Sequence, residues 1–328
     1  RSWAGQLSLN PESDVFITSA SQQLGEFLST SDGNDLITTE RDIPDMREQN
    51  IEFIGSRLKP GTNHYTSFAG VDMIENRDNV IPKLLEVTPV SGAFQIGETV
   101  SGLISNNTGG TQFVALRFRL CTPNHKDGSF NSPTVTYVNN PYEANVGLSS
   151  AYSETTTVLN IDTKSLSQIS DPNFFGFAQV GMRLIGETSG AEAEVNQLRL
   201  ITDKVGAVVG CYHIEQSQFI NGTNTAKLTS IRPQDAITPN INFSRASADH
   251  FSEGTLVTDN TLVRIEPEPV IPVLNFITNI TNNIAITNVT HNTIVQQEQD
   301  DDPLAQTFQV DQTDGIFITS VDFFFATK

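Results

Sequence analysis

Leu116, Phe118 and Leu120 alternate with Arg117 and Arg119. A helix repeats every 3.6 residues and cannot gather this pattern on one face. A strand can, so the segment reads as a half-buried strand with three apolar side chains inward. The rest of the chain carries the same signal more faintly. Leu7 to Thr18 reads as a loop and then a strand. Ile51 to Gly55 reads as a strand entering a turn at Pro60-Gly61, with Tyr65 to Val71 as the return strand. Val158–Ile161, Phe177–Ile185 and 207–214 read as further strands. Asp32–Asp35, Asn106–Gly110, Gly186–Gly190 and Asp203–Gly206 read as turns. Charged residues make up 17% of the chain, below the ~25% of ordinary domains, and Asn, Gln, Ser and Thr supply the polarity instead. That balance favours strands and turns over long helices.

The expected class is therefore all-β: a chain of small antiparallel β-sandwich-like domains with an extended β connector. Its expected parts are an irregular β-rich unit over 1–82 and sandwich-like units over 83–142 and 143–266. Gly97-Glu98-Thr99 and Gly186-Glu187-Thr188 recur in the two sandwich-like units, each with a Leu-Arg strand after it. Pro267, Pro269 and Pro272 stiffen the segment beyond them. Residues 275–295 hold six Asn, five Thr and seven Ile or Val without one charge. So polar a strand cannot offset its ordering entropy alone. Residues 267–303 are read as an extended connector, either an oligomeric stalk of intertwined copies or a strand paired within its own chain. Residues 304–328 read as the first strands of a following domain. The chain starts without Met and ends in the apolar run Ile316 to Phe325, and both features are read as marks of a fragment of a longer protein.

Net charge is −19, from 19 basic and 38 acidic residues. That argues against nucleic-acid binding, which needs phosphates neutralised by Lys and Arg, and against a polybasic membrane surface. No apolar run reaches the ~18–20 residues of a membrane-spanning helix. Cys121 and Cys211 are read as buried free thiols, with a mutual disulfide or a metal site as the alternatives. The histidines at 64, 125, 213, 250 and 291 form no close pair of metal-ligand spacing. His125 is read as a loop residue held by a structural hydrogen bond, with a ligand contact as the alternative. Ser189 lies in Gly-Glu-Thr-Ser-Gly, which lacks the spacing of a nucleophile elbow. The run Glu298 to Asp302 lacks the Gly and distal Glu of a calcium loop and reads as a solvated acidic stretch. No catalytic, cofactor-binding or metal-ligating residue is assigned. The sequons at Asn106, Asn221, Asn242, Asn279 and Asn288 are read as accidents of composition.

Several segments, taken in order, resemble the large virion structural proteins of contractile-tailed marine bacteriophages, particularly those infecting cyanobacteria. They are Ile43-Pro44-Asp45-Met46-Arg47 with Leu58 to Asn63; Tyr65 to Asp72; Phe94 to Gly102; and Asn124 to Gly128 with Asn140-Pro141-Tyr142. Val158 to Asp162, Ser189-Gly190-Ala191 and Arg199 to Asp203 come next, then Asp302 to Phe308 and Gly315 to Phe324. Within Tyr65 to Asp72 the family has a Phe-Phe-Asp-Gly type of sequence, so Ser67 and Ala69 are departures.

The resemblance implies a non-enzymatic structural part of the tail, in the baseplate or at the attachment of the tail fibres. It implies a virion protein made in the host cytoplasm, without cofactors. It also implies self-association as a homotrimer and contacts with other tail, baseplate or fibre proteins. The alternative is a receptor-binding fibre module that recognises a host surface glycan. Such a module needs exposed aromatics on loops, and Tyr137, Tyr142 and Tyr152 are the candidates.

Overall fold

The structure, a computed structural model, describes residues 3–26, 36–74, 79–105, 112–169, 171–232 and 243–264. The connector 267–303, the strands expected at 304–328, the Asp32–Asp35 and Asn106–Gly110 turns, His291 and the acidic run Glu298–Asp302 lie outside these residues. So do the sequons at Asn106, Asn242, Asn279 and Asn288. One compact unit spans Arg1–Pro267. It is mostly β-strand in several sheets, with the helical turn Thr163–Leu166 the one α-helix among the described residues. No helix among them is long and apolar enough to cross a membrane.

Four strands, Gln6–Asn10, Gln49–Ser56, Val208–Ile214 and Val80–Pro82, form an antiparallel sheet in that order. Val208–Ile214 is buried along its whole length, because both of its faces are covered. One face packs on an eight-stranded sheet through Ile51, Phe53, Tyr212, Phe68 and Leu228. The Tyr212 ring lies 4.7 Å from Phe53 and 5.6 Å from Phe68, and its hydroxyl meets Thr66 Oγ1. The opposite face turns Glu52 and Cys211 toward the helical turn at Thr163–Leu166.

The eight-stranded sheet is built on Ser244–Arg264, a strand of 21 residues. Gly222–Thr229 and Asn63–Phe68 extend it antiparallel, while Trp3–Ala4 and Ser13–Glu26 join the long strand parallel. The expectation of purely antiparallel pairing therefore fails here. Hairpins pair strands that are neighbours in sequence, whereas these partners are more than 200 residues apart. The Pro60-Gly61 turn shows the same effect. Asn63–Phe68 does not return beside Gln49–Ser56; it crosses into the other sheet of the sandwich.

Seven antiparallel strands drawn from residues 84–197 form the third large sheet, ordered Val158–Asn160, Leu84–Ser91, Glu192–Gln197, Arg183–Gly186, Thr99–Ser105, Gln112–Arg119 and Phe175–Gly176. Leu116, Phe118 and Leu120 are fully buried in its core, as the alternation predicts, with Leu184, Ala193 and Val195 beside them. The expected boundary at 142/143 falls inside this sheet, because Leu84–Ser91 pairs with both Val158–Asn160 and Glu192–Gln197. The expected unit 143–266 is likewise divided, since Leu200–Ile201 and the described strands after it pair with residues before 83. The seven-stranded sheet is an insertion between Pro82 and Leu200, two strand ends of the other body.

The two Gly-Glu-Thr segments are neighbours in the inserted sheet, since Thr99–Ser105 pairs with Arg183–Gly186. The Glu98 carboxylate accepts from Gln95 N (2.5 Å), Thr188 N (3.2 Å), Ser189 N (3.0 Å) and Ser189 Oγ (2.9 Å). Glu187 in turn accepts both Nε and an Nη of Arg117 at 2.9 Å. The recurrence thus marks two turns that brace one another in a single sheet.

Candidate functional site

The side chains singled out in the sequence are mostly structural. Tyr137 is buried, and the Tyr142 hydroxyl lies 2.6 Å from the Leu84 carbonyl and 3.1 Å from that of Arg199. The Tyr152 hydroxyl donates to the Cys121 carbonyl at 2.6 Å and accepts from Asn160 N at 3.2 Å. Burial pushes all three phenols above their ordinary range. The expectation that these rings stand exposed on loops is overturned. Tyr142 and Tyr152 each bury an apolar body and find main-chain partners for the hydroxyl, which satisfies both halves of the residue, while the Tyr137 ring lies buried beneath the Lys126 ammonium.

Cys121 and Cys211 are free and buried. Burial raises the Cys121 thiol to about 12 and carries Cys211 well above the ordinary value. His125 sits buried at the start of strand His125–Ser129, with Nε2 3.2 Å from the Gly128 carbonyl, the structural bond expected of it. His64 Nδ1 lies 2.9 Å from the Thr62 carbonyl, and His250 Nδ1 lies 3.0 Å from that of Pro11. Desolvation lowers the pKa of both, so each donates as a neutral imidazole. Asn221, a sequon residue, uses its Nδ2 to hold the Ile43 and Asp45 carbonyls at 2.8 and 3.0 Å. Arg119 does not stand free in solvent: its guanidinium lies over Phe130 (4.9 Å) and Phe174 (5.1 Å).

A cleft of about 240 Å³ lies between the four-stranded sheet and residues 168–169 and 171–176. Glu48, Asn50, Asp171, Phe174 and His213 line it. Strand pairing sets Asn50 opposite His213, and His213 Nδ1 donates to Asn50 Oδ1 at 3.0 Å. Burial holds this imidazole below its usual value, against the pull of Glu48 and Glu215. Its ring thus resists protonation more than a free imidazole does. Among the described residues the lining contains no Ser, Thr, Cys, Lys or Tyr to serve as nucleophile. Nor do three His, Cys, Asp or Glu side chains converge as a metal ligand set among them. The cleft can hold a small polar group by hydrogen bonds. Sequence reading missed His213, because Asn50 meets it only through pairing of strands 163 residues apart.

A second, wider groove of about 640 Å³ lies on the outward face of the eight-stranded sheet, lined in part by Ser67, Lys227, Thr229, Arg245 and Ser247. No family model matches the chain, and neither the curated proteins nor the solved structures contain a match.

Proposed function

We propose that this chain is a structural component of a contractile phage tail, in the baseplate or at the tail-fibre attachment, acting as a scaffold without catalysis. The observation that supports the reading is the packing of Tyr137, Tyr142 and Tyr152 against the apolar cores, which leaves these three rings little face to offer the glycan of the alternative. What remains is a body of paired strands with continuous apolar cores, suited to bearing load. The ordered resemblance along the sequence supports the placement in a virion.

In this reading the β bodies act as sandwich-like modules, and copies of the chain associate as a homotrimer. The protein is made in the host cytoplasm and meets other tail or fibre proteins in the particle. It binds no nucleic acid, inserts in no membrane and needs no cofactor. Immunogold electron microscopy of intact virions, with antibody raised against this chain, tests the proposal. Label at the distal end of the tail is the expected result. Label on capsid or neck, or on no particle, removes the placement.

A further inference from the structure

The acidic excess is unevenly spread. Residues 1–11, 53–71, 216–234 and 236–248 contain no Asp or Glu, yet they hold six of the nineteen basic residues. Strand pairing gathers parts of these segments on one sheet. Trp3–Ala4 lies along Ser244–Arg245, and Gly222–Thr229 lies between the long strand and Asn63–Phe68. The register sets Ser67, Lys227 and Ser247 in one row, and Tyr65, Thr229 and Arg245 in the next on the same face. Lys227 and Arg245 are exposed there, beside the wide groove, and neither has a carboxylate partner among the described residues.

The same face changes character along the long strand. The odd-numbered residues from Arg245 to Glu253 are exposed, and eight residues beyond Arg245, about 26 Å along the strand, stands Glu253. Val15 lies opposite Glu253, Ile17 and Asp42 flank Thr255, and Glu40 lies opposite Val257. Glu40, Asp42 and Glu253 are exposed and have no cationic partner among the described residues. Val15 and Ile17 are 65% and 70% exposed. One sheet face thus carries Lys227 and Arg245 toward one end and Glu40, Asp42 and Glu253 with bare aliphatic side chains toward the other, with Asp249, which accepts from Thr225 Oγ1, between them.

We propose that this face is a contact surface for a second copy of the chain, with the Lys227/Arg245 end of one copy seated on the Glu40/Asp42/Glu253 ribbon of the next. Charge complementarity selects the occupant, because both halves of the match are built into one polypeptide. Seating also removes Val15 and Ile17 from water. The contact is independent of the connector and of any placement in a virion.

Zero-length carbodiimide cross-linking of a 1:1 mixture of unlabelled and ¹⁵N-labelled full chain tests it. Mass spectrometry should find mixed-isotope links joining Lys227 to Glu40, Asp42 or Glu253. Their yield should fall about tenfold from 50 to 500 mM salt as the charges are screened. They should vanish in the near-isosteric E40Q/D42N/E253Q chain, while links elsewhere persist. Links from Lys227 only within its own chain, only to other carboxylates, or not at all would overturn the contact. So would protection of Lys227 by added polygalacturonate with no link between copies, which would make the face a site for acidic glycans.

Discussion

Thr163 Oγ1 donates to Glu52 Oε1 at 2.6 Å, and this bond joins the inserted seven-stranded body to the sheet beneath it. Glu52 is 3% exposed, and its other oxygen receives a longer bond of 3.4 Å from Asn10 Nδ2. Thr163→Val keeps the shape and removes the donor. A buried carboxylate that loses its closest partner should cost about 1–3 kcal/mol. The urea midpoint should fall with an unchanged slope, while Thr155→Val on the surface leaves it in place. Equal midpoints for the two variants would count against the role given to this bond.

Ala69 and Gly70 have φ of 49° and 82° and form the two-residue loop between Asn63–Phe68 and Val71–Asp72. Consecutive left-handed residues are what a type I′ hairpin demands, and Asn or Asp followed by Gly suits it best. Ala69→Asn should stabilise the fold by about 0.5–1 kcal/mol, read as a rise in melting temperature. A fall would show that the loop geometry is wrong.

Both thiols should be silent in the native protein. With Cys121 near 12 and Cys211 raised well above its ordinary value, almost no thiolate exists at pH 8, and burial blocks access as well. A thiol-specific chromogenic reagent should titrate no cysteine before unfolding and two per chain in denaturant without reductant. One or none in denaturant would indicate a disulfide.

Burial lowers the pKa of His64, His125, His213 and His250. Unfolded imidazoles take up protons near pH 6.5, whereas the folded ones resist until lower pH. The unfolded state therefore binds more protons below about 6.5, and stability falls there. It is held in full above that value. Each histidine contributes up to about 1.4 kcal/mol per pH unit inside the window. The urea midpoint at pH 5.5 should lie clearly below that at pH 7.5, and a flat profile would contradict the burial of these rings.

The local grammar of the chain is readable from sequence, because period-two patterns and Gly-rich turns depend on near neighbours. Leu116, Phe118 and Leu120 go inward, and 207–214 becomes a strand at Val208–Ile214. Pairing is not readable. Nothing near Asn50 announces His213, and nothing near Ser13 announces Phe251. Tyr142 and Tyr152 mislead for a related reason: a Tyr in a loop looks exposed until the main-chain carbonyl that receives its hydroxyl comes into view. The helical turn Thr163–Leu166 also escapes sequence reading, being only four residues long and marked by little besides Asp162, whose carboxylate accepts from Ser165 N.

The insertion also sets a timetable for synthesis. Gln49–Ser56 and Val80–Pro82 leave the ribosome early, yet the strand that lies between them, Val208–Ile214, is more than a hundred residues away. At elongation speeds of about 5–20 residues per second, that wait is on the order of ten seconds. Throughout it, Ile51, Phe53 and Phe68 have no completed core to enter. The inserted sheet, closed once Glu192–Gln197 emerges, can form while the body that carries it is still waiting for its central strand.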